Sequence, residues 1–471
     1  MQASNNLTKI LLKVKERLRP SPNERVRVEN ATKTALERLE PLAEIYGFKP
    51  MPVGSAARDT WLPDRVDIDI FLIFPKDLAV EELRNRGLKA GIEISKGKYK
   101  LRYASHPYVT VWIEEFWIDI VPCFEAEIGE AIKSAVDRTP LHHRYLVERN
   151  IAKLGDEVRL LKSFLLTLDA YGAEAAVQGF SGYLCELLIL RYNTFLKLLS
   201  EASRWTEPTV IDLEEYWRDE KPEKIFQTPL IVIDPVDWRR NVAAALSRTQ
   251  YYKFKAFSRL FLKKPSLEYF HVYTKEQPRP QPSQTARERG TYPYAVLIRP
   301  PGPAPEIMWT QLAKLWRQLK RILEDEGFKV IDGGCWTDTE RIAVALYELD
   351  RNTVPRMLIR KGPMVGMDSQ EDKFLEKWSG KAEKGPYIYG DRWYVGLLRG
   401  RVKPEDIILY HLTDPKGIAE AGIPSHVKQS VLSYGVTILT PKTIDKLVGI
   451  SRELDSYISK LLYRRPPTSS G

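Results

Sequence analysis

Asp67 and Asp69 stand two residues apart in the segment GSAARDTWLPDRVDIDIFLIF, residues 54–74. The alternation of Ile68, Ile70 and Leu72 with these acids predicts a strand over Val66–Phe74, with both carboxylates on one face and the aliphatic side chains in a core. Two acids side by side repel each other, and each resists burial unless a cation neutralises it. Oxygen ligands of this kind favour Mg²⁺. A third acid, Asp119, lies between Ile118 and Ile120 in FWIDIVP. Tyr108–Ile113 and Phe116–Val121 predict a hairpin that turns at Glu114 and Glu115, and a neighbouring strand position would bring Asp119 to the other two. Three carboxylates so placed can hold two metals about 3.5–4 Å apart, one activating a hydroxyl and one binding phosphate oxygens.

Gly54 and Ser55 precede this strand. Glycine lets backbone N–H groups approach a phosphate, and the Ser hydroxyl can add a hydrogen bond. Arg58 could neutralise phosphate charge. A lone DxD is commonly a solvated strand end, and a lone Gly-Ser is weaker still. Their order, with a third acid on a later strand, makes the pattern specific. The run GSxxRxTxLxxxxDIDxF resembles the signature of the polymerase-beta-type nucleotidyltransferases. With Thr60 and Leu62 in place it is similar to the archaeal (class I) CCA-adding enzymes. The resemblance implies a two-metal enzyme that uses CTP and ATP to build the 3′ CCA end of tRNA without a template. Asp67, Asp69 and Asp119 would then be the catalytic metal ligands.

Further motifs extend the resemblance over residues 50–250. In AVDRTPLHHRYL, His142 matches the family's nucleotide-binding histidine, whereas the adjacent His143 has no match. Without the family, a histidine pair near a helix start reads as structural. Lys162 sits at the edge of the stripe Leu161, Phe164, Leu165 and Leu168, where a lysine ordinarily extends to solvent; the resemblance points it at a triphosphate, with Tyr171 against ribose or phosphate. Ser181 in GFSGYLCELLIL is a plain N-cap on one reading and, on the other, marks a helix start that attracts phosphate. Tyr183 is a further candidate there. Arg240 in DPVDWRRNVAAALS matches the family's base-reading arginine, and Arg239 is its neighbouring decoy.

These residues need a frame. The chain has 471 residues, 43% of them hydrophobic, enough for several packed domains. Helices are predicted over 5–18, 24–46, Val158–Leu168, Tyr183–Leu199, from near Asn241, and over Trp309–Glu326. Strands are predicted over Tyr294–Arg299, Phe328–Ile331 and Ile342–Leu349, and the apolar run Leu230–Ile233 ends at Asp234. Residues 277–290, QPRPQPSQTARERG, read as a linker, and Arg464–Gly471 as a frayed tail. The expected fold class is α/β and α+β multidomain: a nucleotidyltransferase head (1–150), a helical central domain completing the nucleotide pocket (151–276) and an α+β RNA-binding region (277–471).

Lys and Arg number 72 against 62 Asp and Glu, a net charge of +10 that suits a nucleic-acid partner. Residues 378–403 interleave Trp378, Tyr387, Tyr389, Trp393 and Tyr394 with Arg392, Arg399, Arg401 and Lys403. They read either as the core of a β-rich domain or as an RNA surface with rings stacking on bases. Cys123, Cys185 and Cys335, all expected buried and with no CxxC pair, suit a reducing cytoplasm. No signal-peptide core and no membrane-spanning run is found. The assembly, homodimer included, is left open. A polyadenylating enzyme of the same fold and a non-catalytic RNA-binding relic are the alternatives.

Overall fold

A computed structural model describes residues 2–103, 107–130, 132–218, 220–274, 278–302 and 304–464. The chain divides into two compact units, Met1–Lys275 and Glu276–Arg465. No helix among the described residues is long and apolar enough to cross a membrane.

The first unit opens with α1 (Gln2–Leu18) and α2 (Pro22–Tyr46). A capping box starts α2: Ser21 Oγ accepts from the Glu24 N–H, and the Glu24 carboxylate accepts from the Ser21 N–H. Its buried stripe is Val28, Ala31, Ala35 and Leu39, and Gly47 ends it in the left-handed region. Strand β1 (Lys49–Val53), the single turn α3 (Gly54–Ala57), β2 (Ile68–Phe74), α4 (Val80–Ile94), β3 (Tyr99–Tyr103), β4 (Pro107–Ile113) and β5 (Phe116–Phe124) follow. They form one sheet in the order β1-β2-β5-β4-β3, in which only β2 and β5 pair in parallel. Ile68, Ile70, Leu72, Val109, Val111, Ile118 and Ile120 face α2 and α4 and fill the core. The opposite face carries the acids and a smaller cluster of Val53, Phe71, Val121 and Cys123.

The helical part consists of α5 (Arg138–Glu148), α6 (Gly155–Thr167), α7 (Gly182–Tyr192), α8 (Phe195–Ala202) and α9 (Arg248–Lys263), with a small sheet of β6 (Thr209–Ile211), β7 (Leu230–Asp234) and β8 (Asp237–Asn241). Phe164 on α6 lies among the rings of Phe195, Phe254, Phe261, Tyr269 and Phe270. Several expectations need correction. The helix over Tyr183–Leu199 is two helices, because Asn193 adopts φ 62° and Thr194 caps the second. No helix begins near Asn241, which ends a strand; α9 starts at Arg248, capped by Ser247. The Asn241 amide is spent on its own hairpin, bonding Val232 N–H, Ala243 N–H and the Leu230 carbonyl. Strand β2 begins at Ile68, so Asp67 stands just ahead of the ladder.

In the second unit, part of the expected linker is a helix, α10 (Pro282–Arg289), since Pro282 occupies a first-turn position that needs no N–H donor. Residues 275–277 within or beside that stretch lie outside the described residues, as does the expected tail beyond Arg464. Strand β9 (Tyr292–Ile298) is sandwiched: Tyr294, Val296 and Ile298 meet Leu312, Leu315 and Leu319 of α11 (Pro305–Asp325), and Ala295 meets Leu454 and Ile458 of the helix Arg452–Tyr463. Strands β10 (Val330–Thr337) and β11 (Ala343–Leu349) pair beside it. A separate sheet of β12 (Met357–Met364), β13 (Lys384–Tyr389) and β14 (Arg392–Leu398), with β14 central, follows. The helix α12 (Asp368–Trp378) packs on it through Phe374 against Gly362 and Glu371 to the Trp393 indole. Cys123 and Cys185 are buried, whereas Cys335 is partly exposed, contrary to expectation.

Candidate active site

Asp69 on β2 and Asp119 on β5 are partners in the parallel register, so their carboxylates rise side by side from one face at the strand spacing of about 4.8 Å. On the far side of β2, Val53 is the partner of Asp69, and the next residue is Gly54 with φ 79°. A Cβ on Gly54 would collide with Asp69 Oδ2, so glycine is required both by the turn and by the carboxylate. Thr110 Oγ1 donates to Asp119 Oδ1 at 2.6 Å and fixes its orientation. Asp67 stands at the exposed rim. Burial, then the charges of Asp119 and Asp67, push the Asp69 carboxyl up to about 7. Burial also raises Asp119, and desolvation raises Asp67 against the pull of Lys162 and Arg65.

Among the described residues no group of three or more His, Cys, Asp or Glu is gathered tightly enough to chelate a metal. Asp69 and Asp119 share one face of the sheet, and the charge of Asp67, just ahead of the ladder, also acts on Asp69. The donor set nonetheless fits a hard divalent cation: all three ligands are carboxylates, and a cation would relieve the repulsion that raises Asp69.

Behind this face, the loop after α3 is pinned by buried charge. Arg58 binds Glu186 of α7 through two bonds, 3.1 and 2.9 Å, and Thr60 Oγ1 donates to the same carboxylate at 2.6 Å. Lys162 does not extend to solvent; it is buried and donates to the Thr60 carbonyl at 2.9 Å. Burial pushes the Lys162 ammonium down. Burial also favours protonated Glu186, but Arg58 and Lys162 outweigh it and hold the carboxyl below its usual range. Arg159 donates to the Trp61 and Asp59 carbonyls and to the Asp59 carboxylate, holding the same loop. His143 lies beside this group; burial, then Arg58, lowers it to about 4, and its Nδ1 has no hydrogen-bond partner.

Of the other expected residues, Ser181 and Arg240 line a cavity of about 690 Å³ together with Arg138, Asp237, Arg239 and Asn241, whereas His142 and Tyr171 are not in its lining. Ser181 is a true N-cap, accepting from the Leu184 N–H at 3.1 Å. The Tyr171 hydroxyl lies at the same helix start, beside Gly182, and burial raises its pKa. His142 stacks on Tyr183, with ring centroids 3.9 Å apart, and its Nε2 bonds Asp234 at 2.9 Å. Arg240 Nη1 donates to the same carboxylate at 2.7 Å, whereas Arg239 turns onto the Trp238 ring.

Asp234 and Glu186 are the hubs that the sequence reading did not assign. Each had a signal: an acid ending the wholly apolar run Leu230–Ile233, and a lone acid inside the apolar helix GYLCELLIL. A buried charge in such a place requires partners.

A sheet carrying paired carboxylates beside a glycine-serine turn, backed by buried cations, defines a nucleotidyltransferase. Family profiles agree along the chain: "Nucleotidyltransferase domain" matches residues 32–142, "tRNA nucleotidyltransferase, second domain" residues 156–271, and "CCA-adding enzyme, C-terminal domain" residues 289–437. The chain is 37% identical to the CCA-adding enzyme of Methanocaldococcus jannaschii over 388 residues, covering 79% of this chain and 84% of that protein. It is 38% identical to that of Archaeoglobus fulgidus (84% and 87% covered) and 40% identical to that of Methanopyrus kandleri (76% and 77% covered). The chain belongs to the archaeal CCA-adding enzyme family. Nucleotidyltransferases of this superfamily generally use divalent metal ions.

Proposed function

We propose that this protein adds C, C and A to the 3′ end of tRNA, taking the nucleotides from CTP and ATP and releasing pyrophosphate. The pairing of Asp69 with Asp119 across β2 and β5 carries this reading, together with the relatives and the C-terminal family match. The tRNA 3′-hydroxyl attacks the α-phosphate in line with the departing pyrophosphate. Asp67, Asp69 and Asp119 would hold Mg²⁺, which when bound supplies charge neutralisation at the reacting phosphate. Asp119, whose Oδ1 accepts from Thr110 Oγ1, would also accept the hydroxyl proton. Gly54, Ser55, Arg58, Lys162, Tyr171 and Ser181 form the proposed triphosphate and ribose side, and His142 and Arg240 the base side. Arg58 and Lys162 already share the Glu186 charge, so they act as an oriented cationic wall rather than as free side chains.

We assign residues 1–150 as the catalytic head, 151–276 as the domain completing the nucleotide pocket, and 277–471 as the tRNA-binding region, acting in the cytoplasm. A homodimer and a monomer are distinguished by light scattering. The test of function is incorporation on a tRNA transcript lacking CCA, with Mg²⁺ and labelled CTP or ATP. Addition of two C residues and one A, then arrest, is the expected result. An open-ended A tail would make it a polyadenylating enzyme, and tight RNA binding without incorporation would make it a relic.

A further inference from the structure

We infer that Asp234 is a specificity-determining positioning residue: it locks the Arg240 guanidinium at one angle, so that the cavity selects bases whose pairing edge carries an acceptor ring nitrogen. This rests on the CCA reading and deepens it. Asp234 ends β7 and is completely buried. Its two oxygens serve four donors. Oδ2 takes Arg240 Nη1 at 2.7 Å and His142 Nε2 at 2.9 Å; Oδ1 takes the Tyr183 hydroxyl and the Val236 N–H, both at 3.2 Å. A carboxylate so saturated cannot turn. The next residue after Arg240, Asn241, is tied into β7 by its side chain, so the arginine is held at its backbone as well as at its tip.

Arg240 is itself 36% exposed on its side chain and lines the cavity beside Ser181. With Nη1 spent on Asp234, its remaining N–H groups are the donors offered to a bound base. A guanidinium only donates. Cytosine and adenine each present an acceptor ring nitrogen on the pairing edge, next to an amino group. Uracil and guanine present an N–H there, next to a carbonyl. A guanidinium held at one angle can meet the ring nitrogen of the first pair and confronts an N–H in the second. One free to swivel could reach the carbonyl instead and accept either class. His142, stacked on Tyr183 and bonded to the same carboxylate, serves this arrangement as a strut, whatever else it touches.

Asp234→Asn keeps the shape and removes the saturation, since an amide offers one acceptor oxygen and two N–H donors in place of two acceptor oxygens. It can no longer satisfy Arg240, His142, Tyr183 and Val236 together. The experiment measures kcat/KM for CTP and for UTP on a tRNA transcript lacking CCA, in the wild type and in D234N. The expected result is a fall of at least about tenfold in the CTP-to-UTP ratio, because orientation of a polar contact is what rejects the wrong partner. A ratio unchanged within about twofold would overturn the inference, since loss of fold alone lowers both rates together. If D234N does not fold, Tyr183→Phe removes one donor and keeps the ring over His142; a ratio lowered several-fold supports the inference, and an unchanged one overturns it. Failure of the wild type to add C and A would instead sink the parent reading.

Discussion

Gly54 and Asp69 occupy one space: the position of a Cβ on the glycine is already filled by Oδ2 of the aspartate. The positive φ of 79° at Gly54 is a conformation that side chains resist. Gly54→Ala therefore strains the turn and displaces the carboxylate. A misplacement of about 1 Å at a reacting centre costs on the order of 100-fold in rate. The variant is expected to lose at least that much kcat with tRNA affinity unchanged, read by single-turnover incorporation and filter binding. Wild-type turnover would refute the packing argument.

Asp67→Ala and Asp69→Ala are expected to abolish nucleotide addition while tRNA binding survives. The acids lie in the first unit, on the face that we assign to catalysis, and not in the basic second unit that we assign to tRNA. Full activity in either variant would remove it from the metal site.

The repulsion at Asp69 has a pH signature. Burial, Asp119 and Asp67 raise its pKa to about 7 in the metal-free protein. Below the unfolded pKa both states are protonated and the contribution to stability is fully present. As pH rises, the unfolded chain releases the proton first, so the contribution is lost up to about pH 7. Mg²⁺ should reverse the penalty where the carboxylates are ionised. Scanning calorimetry should show Mg²⁺ raising Tm more at about pH 8 than at about pH 5, with the difference smaller in Asp69→Asn. An equal shift at both pH values in the wild type would contradict this.

Glu186 faces a harsher test. Arg58 and Glu186 are 8% and 1% exposed, and Lys162 is buried beside them. Removing one partner leaves charge buried without a counter-ion, which typically costs about 3–5 kcal/mol. Urea denaturation of Glu186→Ala should show a loss of that order, whereas a surface pair such as Lys33 and Glu37, 73% and 63% exposed, should show almost none.

The second unit offers a stacking surface. Tyr387 and Tyr394 are ladder partners with ring centroids 5.9 Å apart, and Tyr389 meets Tyr394 edge-on at 6.2 Å. Lys361 and Arg392 hold register positions on the same face, opposite the one covered by α12 through Trp393. If these rings stack on RNA bases, Tyr394→Ala should weaken tRNA binding by about 1–3 kcal/mol. Arg392→Ala should flatten the salt dependence. Unchanged affinity in both would return the tyrosines to a purely structural role.

What the sequence alone determined was whatever depends on neighbours along the chain. The alternation around Asp69 and Asp119 specified two strands with acids on one face, and Ser181, read as an N-cap, marked a real helix start. The stripe on α11 was legible for the same reason. Local pattern misled where another constraint intervened: Asn193 broke an apolar helix through its backbone angle, and Asn241 bonded its own hairpin instead of opening a helix. Only the tertiary structure decided which partner each buried charge has. Arg58 finds Glu186 across a sequence separation of 128, and His142 finds Asp234 across 92. Such pairings arise because a charge removed from water must be matched by whatever the fold brings beside it, and no spacing along the chain records that match.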